Sequence, residues 1–428
     1  MTPEQIQDLG PAFADYLDQF LFCCDYTQTF HLLGVYCRGL LSDLPRKSAE
    51  PIALASGTAV RTLQEFLKDH AWSRARTRDT LIEHVAATLG QVLGDDLGTV
   101  GLVDETGMVK KGTKTPGVQR QWCGEVGKKE NCVVTVHLGV ARGRYKTLLD
   151  ADLFLPQSWD DDRDRCREAG IPETLVYRPK WRIALRQILR ARALGIELDW
   201  LTFDEGYGSK PGFLRGLDEQ GVAYVGEVPK SFSCFTAPPR AGTAGHRADD
   251  LVRHSRAFHG QPWQTFLLAR QTLGEQPWQA KMAPIWLTGD GVLLPGRHWL
   301  IWARNPRSAE EKYFIGGGAE EGSLAVRLRV GFCRWNVEHG LRVSKSELGF
   351  RHYEGRSYAG LLRHLQLCLV TLTFAAGRAA DLRGGKSGGD DGTGVPQPEL
   401  GMRSVAGRHA ADDALAIHVG GHWVSPAA

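Results

Sequence analysis

The region from Thr99 to Val228 constrains the fold most, because strand-like and helix-like segments alternate along it. Apolar runs predict three strands, then a helical region, a strand, a short helix and a final strand. The predicted strands are 99–106, 133–141, 145–155, 198–208 and 221–228, and the longer predicted helices are 160–170 and 180–194. This order is typical of a mixed sheet, so the sequence predicts the α/β class.

Two of these predicted strands end in an acid, Asp104 in V-D-E-T and Asp204 in F-D-E-G. In α/β proteins, ligands bind beyond the carboxyl ends of the strands. A single Asp in such a position is also a common helix cap or turn residue. The stretch after Asp104 carries Lys110 and Lys111 and then further cations without an acid. Cations beside an acid suit a phosphate-bearing polymer next to a metal ion.

A third acid, Glu338, stands among cations in the stretch 326–345. If this stretch is helical, Arg334, four residues before Glu338, and Lys345, seven after it, share its face. One interpretation is an amphipathic core helix with i,i+4 ion pairs. The other is a site that grips phosphates and holds a divalent metal, since three carboxylates suit two such ions. Glu347 and Glu354 are the fallback acids.

Residues 1–95 have helical periodicity and predict an all-helical N-terminal domain. Within it, the basic segment 46–78 predicts a helix, a turn at Gly57 and a second helix. This shape is found in DNA-binding helix-turn-helix units and also in plain helical hairpins. The candidate DNA contacts in this domain are Arg61, Arg74, Arg76 and Arg78.

The remaining chain divides into three further segments. Residues 230–325 are rich in Pro, Gly and Trp and predict a β-rich insertion, with strands at 263–270 and 297–303. Residues 326–376 predict two helices, of which the first carries Glu338. The Gly- and Asp-rich stretch 377–428 predicts a disordered tail or out-of-frame translation.

Composition excludes some classes of protein. Of the 428 residues, 42% are hydrophobic and 24% charged, which is typical of a globular chain. The sequence has no run of 18 apolar residues and no basic start before an apolar run, so we expect neither a membrane helix nor a signal peptide. Nine cysteines without a C-x-x-C pair indicate reduced cytoplasmic thiols. The net charge of +3 does not by itself indicate nucleic acid.

Taken together, these motifs resemble the bacterial insertion-sequence transposases of the DDE superfamily, in the branch with the Y-R-E-K signature. R-W-N-V-E-H-G-L-R-V-S-K has the spacing of that signature, and the two Asp motifs match the first two acids. The stretches V-Q-R-Q-W-C-G, L-P-Q-S-W and A-G-I-P are also similar to this group. Gly331 stands where the signature has Tyr. The resemblance covers about residues 10–376.

The resemblance implies an RNase H-like catalytic core in residues 96–229 and 326–376, interrupted by the β-rich insertion. It implies that Asp104, Asp204 and Glu338 are catalytic and hold Mg²⁺, with Mn²⁺ as a possible substitute. It also implies cleavage at the inverted repeats of a transposon and strand transfer into target DNA. The protein would associate with itself in a synaptic complex, in the cytoplasm at the nucleoid and not at a membrane. Where cleavage passes through a hairpin, an aromatic residue holds a flipped base, and any of five insertion tryptophans could do so or simply pack in the core.

Three other functions are compatible with parts of this pattern. An RNase H-like nuclease would cut DNA without strand transfer. A transposase-derived DNA-binding protein would have lost catalysis, although all three acids are present. A glycosidase with two carboxylates would not account for the clustered cations.

Overall fold

The computed structural model describes residues 7–240, 242–270, 274–318 and 322–384. The described N-terminal part contains five α-helices, and the turn at Gly57 between α3 and α4 has the left-handed backbone (φ 67°) that favours glycine. The helices are α1 (Leu9–Asp18), α2 (Thr27–Leu41), α3 (Ala49–Ser56), α4 (Val60–Lys68) and α5 (Arg74–Gln91).

Strands and helices then alternate in the predicted order. The strands are β1 (Val100–Val109), β2 (Gln119–Cys123), β3 (Lys128–Arg142), β4 (Tyr145–Leu153), β5 (Trp200–Phe203) and β6 (Tyr224–Val228). The helices are α6 (Gln157–Asp160), α7 (Arg163–Glu168), α8 (Lys180–Ala193), α9 (Glu205–Gly208) and α10 (Pro211–Glu219). Strand β2 was not predicted, because its alternation of polar and apolar residues is short.

The predicted insertion contains more strands than its sequence indicates. They are β7 (Ser233–Cys234), β8 (His246–Arg247), β9 (Gln264–Arg270), β10 (Gly274–Ile285), β11 (Thr288–Gly289), β12 (Val292–Leu293), β13 (His298–Arg304) and β14 (Glu311–Gly317). The helices α11 (Ala248–His254) and α12 (Arg256–His259) lie among them, and α13 (Leu324–Phe332), α14 (Trp335–Ser346) and α15 (Tyr358–Gly384) follow.

One mixed sheet organises the molecule, and its path runs β2-β3-β1-β5-β6-β14-β13-β10-β9, with β4 also paired to β3. The neighbours β1, β5 and β6 are parallel, whereas the other pairs are antiparallel. The pairing of β14 with β6 joins four long strands of the predicted insertion to the same sheet. The α/β prediction is therefore confirmed, and the β-rich segment extends the central sheet.

Helix α15 joins the N-terminal helices to the sheet. Its side chains share a buried core with α1, α2 and α4, and the Tyr16 hydroxyl donates a hydrogen bond of 2.9 Å to the Val370 carbonyl. By length and composition α15 could cross a membrane, but 78% of its apolar window is buried inside the protein, as in a core helix. Residues 377–384, which we predicted to begin a disordered tail, are the last turns of α15, so that boundary was wrong. The rest of the predicted tail lies outside the described residues.

Burial of His364 in α15 makes stability depend on pH. Its Nδ1 lies 2.8 Å from the Tyr36 hydroxyl and its Nε2 lies 3.0 Å from the Gly349 carbonyl. Burial, with Lys110 nearby, lowers the pKa of His364 to about 3, against about 6.5 in an unfolded chain. The folded state thus binds fewer protons, so the stability present above pH 6.5 is lost as the pH falls towards 3.

Between pH 7.5 and 5 this histidine alone should cost about 2 kcal/mol of unfolding free energy. Urea denaturation at the two pH values should show a smaller loss for His364→Gln than for the wild type. His31→Gln, at an exposed position of α2, is the control and should keep the full loss. An equal loss in both variants would contradict a buried neutral His364.

Candidate active site

Asp104 lies on β1, and Asp204 directly follows β5, the parallel neighbour of β1. Strand β1 pairs with β5 in the register Val100 with Trp200 through Leu102 with Thr202, and continuing this register sets Asp204 level with Asp104. Asp204 directly follows β5 and caps α9, because its Oδ1 accepts a hydrogen bond of 3.3 Å from the Tyr207 amide. Capping α9 uses only one carboxylate oxygen of Asp204. Asp204 is therefore both a strand-end acid and a helix cap, the two interpretations that its sequence position allowed.

Asp104 does not end its strand, and this part of the prediction was wrong. Strand β1 continues to Val109 because it stays paired with the long strand β3, while its pairing with β5 ends at Leu102. The Asp104 side chain is only 13% exposed there. Its Oδ1 accepts a hydrogen bond of 2.7 Å from the Glu105 amide.

Glu338 comes to the same place from α14, in the first turn of that helix. The i,i+4 ion pair, one of the two interpretations of this stretch, is present: Arg334 Nη1 lies 2.6 Å from Glu338 Oε1. The same guanidinium lies 3.7 Å from Asp104 Oδ2 and 3.8 Å from Glu227 Oε2. Arg334 thus joins acids from β1, β6 and α14, and its side chain is only 16% exposed while that of Glu338 is 49% exposed.

The electrostatics of the site reflect an excess of acid. Burial, and after it the Asp204 carboxylate, raise the pKa of Asp104 to about 7, while Arg334 opposes this and Glu338 adds to it. The pKa of Glu205 is also raised, first by burial and then by Glu227. The negative charges around Asp104 and Glu205 therefore favour the binding of a cation.

The donor set suits a hard divalent ion, since carboxylate oxygens are the ligands that such ions prefer. Within the described ranges, however, no three His, Cys, Asp or Glu side chains form a group that could hold a metal ion. Asp104 and Asp204 are set by the sheet, whereas the Glu338 carboxylate is turned to Arg334. The residues therefore fit a divalent metal by the chemistry of their oxygens, while Arg334 holds Glu338 away from such a three-ligand group.

The predicted lysines differ in their surroundings. Lys345 is half-buried two turns beyond Glu338, and its charge helps to lower the pKa of His137, after burial, which is the main cause. Lys110 donates hydrogen bonds of 2.8 and 2.7 Å to the carbonyls of Arg351 and Tyr353, so it ties β1 to a loop. Lys111 is exposed.

The fallback acids make their contacts with the N-terminal helical region. The Glu354 carboxylate contacts Arg46, and the Glu347 carbonyl accepts a hydrogen bond from Lys47.

The four arginines that we predicted to contact DNA from the N-terminal region do not lie on a single surface. Arg61 is 88% exposed and pairs with Glu65, and Arg76 is also exposed. Arg74 is 18% exposed and donates to the Ala151 carbonyl at 2.7 Å, while Arg78, 13% exposed, pairs with Asp79. Arg61 and Arg76 are therefore exposed, whereas Arg74 and Arg78 face the sheet. The local excess of basic residues in the sequence could not distinguish these two pairs.

Gly331, at the position of the missing signature Tyr, faces the sheet. A Cβ there would lie 3.0 Å from two ring carbons of Phe314 on β14 and 3.4 Å from Val225 on β6. The glycine allows α13 to pack closely on the sheet, so the absence of Tyr has a packing reason.

Restoring Tyr at position 331 should therefore destabilise the protein, by about 1–3 kcal/mol or more, because overpacked cores shift their neighbours. Gly331→Ala should also lower the melting temperature. Gly340→Ala is the matched control, since its Cβ would meet Leu148 no closer than 3.7 Å. It should be neutral or stabilising because Ala favours helices. A higher melting temperature for Gly331→Tyr would show that the site has room for the ring.

Sequence reasoning missed several residues. Glu227 on β6 pairs with Lys312 and faces Arg334, a contact that depends on β6 and α14 being brought together in the fold.

On the β2–β3 hairpin, Trp122 is 58% exposed and lies opposite Lys129, with Arg120 on the same face. The alternation R-x-W with Lys across the hairpin could have indicated this surface. Of the insertion tryptophans, Trp278 is buried against Phe332, which favours core packing.

The sequence matches the DDE superfamily endonuclease family over residues 19–283, which is more than half of the 428 residues. The chain therefore belongs to this family of endonucleases, and the predicted resemblance is confirmed. The matched range includes Asp104 and Asp204 and ends before Glu338. A probable transposase for insertion sequence element IS701 from Microchaete diplosiphon is 26% identical over 345 residues, or 77% of each chain.

Proposed function

We propose that this protein is a DNA transposase that cuts at the terminal inverted repeats of its element and joins the 3′ ends to target DNA. The observation that carries the proposal is the contact of Arg334 with both Asp104 and Glu338, with Asp204 near enough to Asp104 for its charge to raise the Asp104 pKa. Membership of the endonuclease family supports the cutting reaction. The similarity to a probable transposase supports transfer of the cut end.

We assign the RNase H-like core to the five strands in the order β4-β3-β1-β5-β6, with α14 and α15 beside them. Three antiparallel strands followed by two parallel ones, with acids on β1 and after β5, support this assignment. The proposed domains are residues 1–95 for DNA binding, 96–229 and 326–376 for the core, and 230–325 for the insertion.

Asp104, Asp204 and Glu338 would hold divalent ions, Mg²⁺ or alternatively Mn²⁺. When bound, such ions activate a nucleophile on one side of the phosphorus and stabilise the leaving oxygen on the other. Arg334 positions Glu338 through the 2.6 Å contact and balances Glu227. The buried setting of Asp104 limits competition from water for its oxygens. Arg334 and Lys345 would also face the phosphate of the cleaved end.

The partner is double-stranded DNA, both transposon ends and target. The exposed cations Arg61, Arg76 and Lys111 would contact its backbone, and Trp122 between Arg120 and Lys129 offers a stacking surface. Transposition requires two ends to be brought together, so we propose self-association in a synaptic complex. The place of action would be the cytoplasm, at the nucleoid.

The test is incubation of the purified protein with Mg²⁺ and end-labelled DNA carrying the inverted repeats that flank its own coding sequence. Transposase activity should give nicks at the ends and joined products, and scrambled repeats should give neither. Cuts without joining would indicate a nuclease without strand transfer. A mobility shift without cuts would indicate a DNA-binding protein that has lost catalysis.

A further inference from the structure

A pocket lined by arginines lies between α5, β4, α8 and the start of α15. Its volume is about 150 Å³, several times the roughly 10–15 Å³ that one water requires. The charged side chains in its lining are five arginines and one acid: Arg74, Arg78, Arg178, Arg186, Arg190 and Asp152. So many like charges around one space are unfavourable unless anions balance them.

The acids of the protein balance only the inner part of the pocket. Arg74 Nη2 lies 3.2 Å from Asp152 Oδ1, and Arg190 pairs with Asp150 and with Asp152. Burial opposes the charge on Asp152, but Arg74 and Arg190 outweigh it and lower the pKa of Asp152 to about 2. Asp152 is therefore ionised and committed to these two arginines.

The outer part of the pocket keeps a surplus of positive charge. Arg78 pairs with Asp79. Arg178 and Arg186 make no hydrogen bond or ion pair with any residue that the structure describes. Arg74 Nε is buried without a hydrogen-bond partner within the same described part. The pocket thus offers two free guanidinium groups at a site with room for one small anion.

We propose that this pocket binds a phosphate group, and that the group is a backbone phosphodiester of the DNA on which the protein acts. The fork of N–H donors on Arg178 and Arg186 suits phosphate oxygens, which guanidinium groups bind in bidentate fashion. The second part of the proposal rests on the proposed DNA transposase function.

The position of the pocket supports a DNA source rather than a free anion. Lys180 begins α8 and contacts Glu105, the residue after Asp104. Arg186 follows six residues later on that helix, about 9 Å along its axis. One rigid helix therefore connects the pocket with the candidate active site. If one phosphate of a DNA strand binds in the pocket, the position of that DNA strand relative to the candidate catalytic acids is fixed.

The experiment compares the wild type with the double variant Arg178→Gln/Arg186→Gln. Arg192→Gln is the matched control: it removes a charge from the same helix, where Arg192 is exposed and donates to the Gln220 carbonyl. Binding of end DNA is measured over a range of NaCl concentrations. In the double variant the slope of log K against log salt should become shallower by about 0.9, the value for one phosphate contact. The slope of the control should remain that of the wild type.

A second arm uses inorganic phosphate alone and follows the melting temperature at constant ionic strength. Phosphate should raise the melting temperature of the wild type and of Arg192→Gln, and not that of the double variant, because ligands stabilise only the state that binds them. An unchanged salt slope with a lost phosphate effect would overturn the DNA assignment in favour of a free anion. A phosphate effect retained in the double variant would overturn the pocket itself. If the wild type bound no end DNA, the transposase proposal would fail before any variant was compared, and the phosphate arm would still decide the anion site.

Discussion

Replacing Asp104 by Asn should reduce cleavage by about 10³-fold or more, because loss of a metal ligand removes several kcal/mol of transition-state stabilisation. The change is nearly isosteric, so the fold should be kept and binding of end DNA should remain close to that of the wild type. Single-turnover cleavage of end-labelled DNA, run beside a mobility-shift assay, separates the two properties. Normal cleavage by this variant would remove Asp104 from the catalytic set.

The same substitution should raise the melting temperature of the metal-free protein at pH 8. Burial and Asp204 raise the pKa of Asp104 to about 7, against about 3.9 in an unfolded chain. A carboxyl with a raised folded-state pKa contributes stability that is present below the unfolded pKa and is lost as the pH rises through 7. Asn stays neutral at every pH. The free energy of unfolding of Asp104→Asn should therefore rise relative to that of the wild type between pH 5 and 8, by on the order of a few kcal/mol.

Glu338→Gln is the matched comparison for this stability effect. Its carboxylate is 49% exposed and paired with Arg334, so we expect loss of cleavage with little change in melting temperature. Addition of Mg²⁺ should stabilise the wild type more than either variant. A lower melting temperature for Asp104→Asn at pH 8 would show that the carboxylate is stabilising and already balanced by cations.

Replacing Arg334 by Ala should lower both stability and cleavage. The guanidinium contacts Glu338, Asp104 and Glu227, and its removal leaves these acids facing one another. Breaking a buried ion pair costs about 3–5 kcal/mol, and we expect the lower end because Glu338 is half-exposed. Arg334→Lys should recover part of the stability and little of the cleavage, since the acids contact different nitrogens of the guanidinium and a compact ammonium lacks that planar fork.

Lys345→Ala provides the contrast on the same helix. Lys345 makes no hydrogen bond or ion pair within the described residues, so its removal should barely change the melting temperature. Cleavage and the lifetime of the end complex should both decrease if it grips the phosphate of the cleaved end. A sharp fall in melting temperature, with normal cleavage by the folded fraction, would make Lys345 a structural residue instead.

Local patterns predicted much of the fold. The periodicity of β1, β3, β4 and α8 is strong because each buries one face or both in the core. The i,i+4 spacing of Arg334 and Glu338 allowed an ion pair as one of two interpretations, and the structure shows that pair, which depends only on local geometry.

Features that depend on distant partners could not be predicted. Asp104 is mid-strand only because β3 is long enough to continue the pairing. Arg74 is buried only because β4 presents Asp152 to it, and the tight packing at Gly331 requires Phe314 from β14. Each of these contacts joins residues separated by many positions in sequence, which composition and spacing do not report.

The parallel pairing of β1 with β5 sets the spacing of the backbone from which two of the three acids project. Adjacent strands lie about 4.8 Å apart, and hydrogen bonds on both sides of each strand hold that spacing. The paired section ends two residues before Asp104 and Asp204, so both acids follow directly from a part of the sheet whose spacing is fixed. Glu338 is carried by a helix outside the sheet, so adjustment to different DNA ends has to come from the third acid.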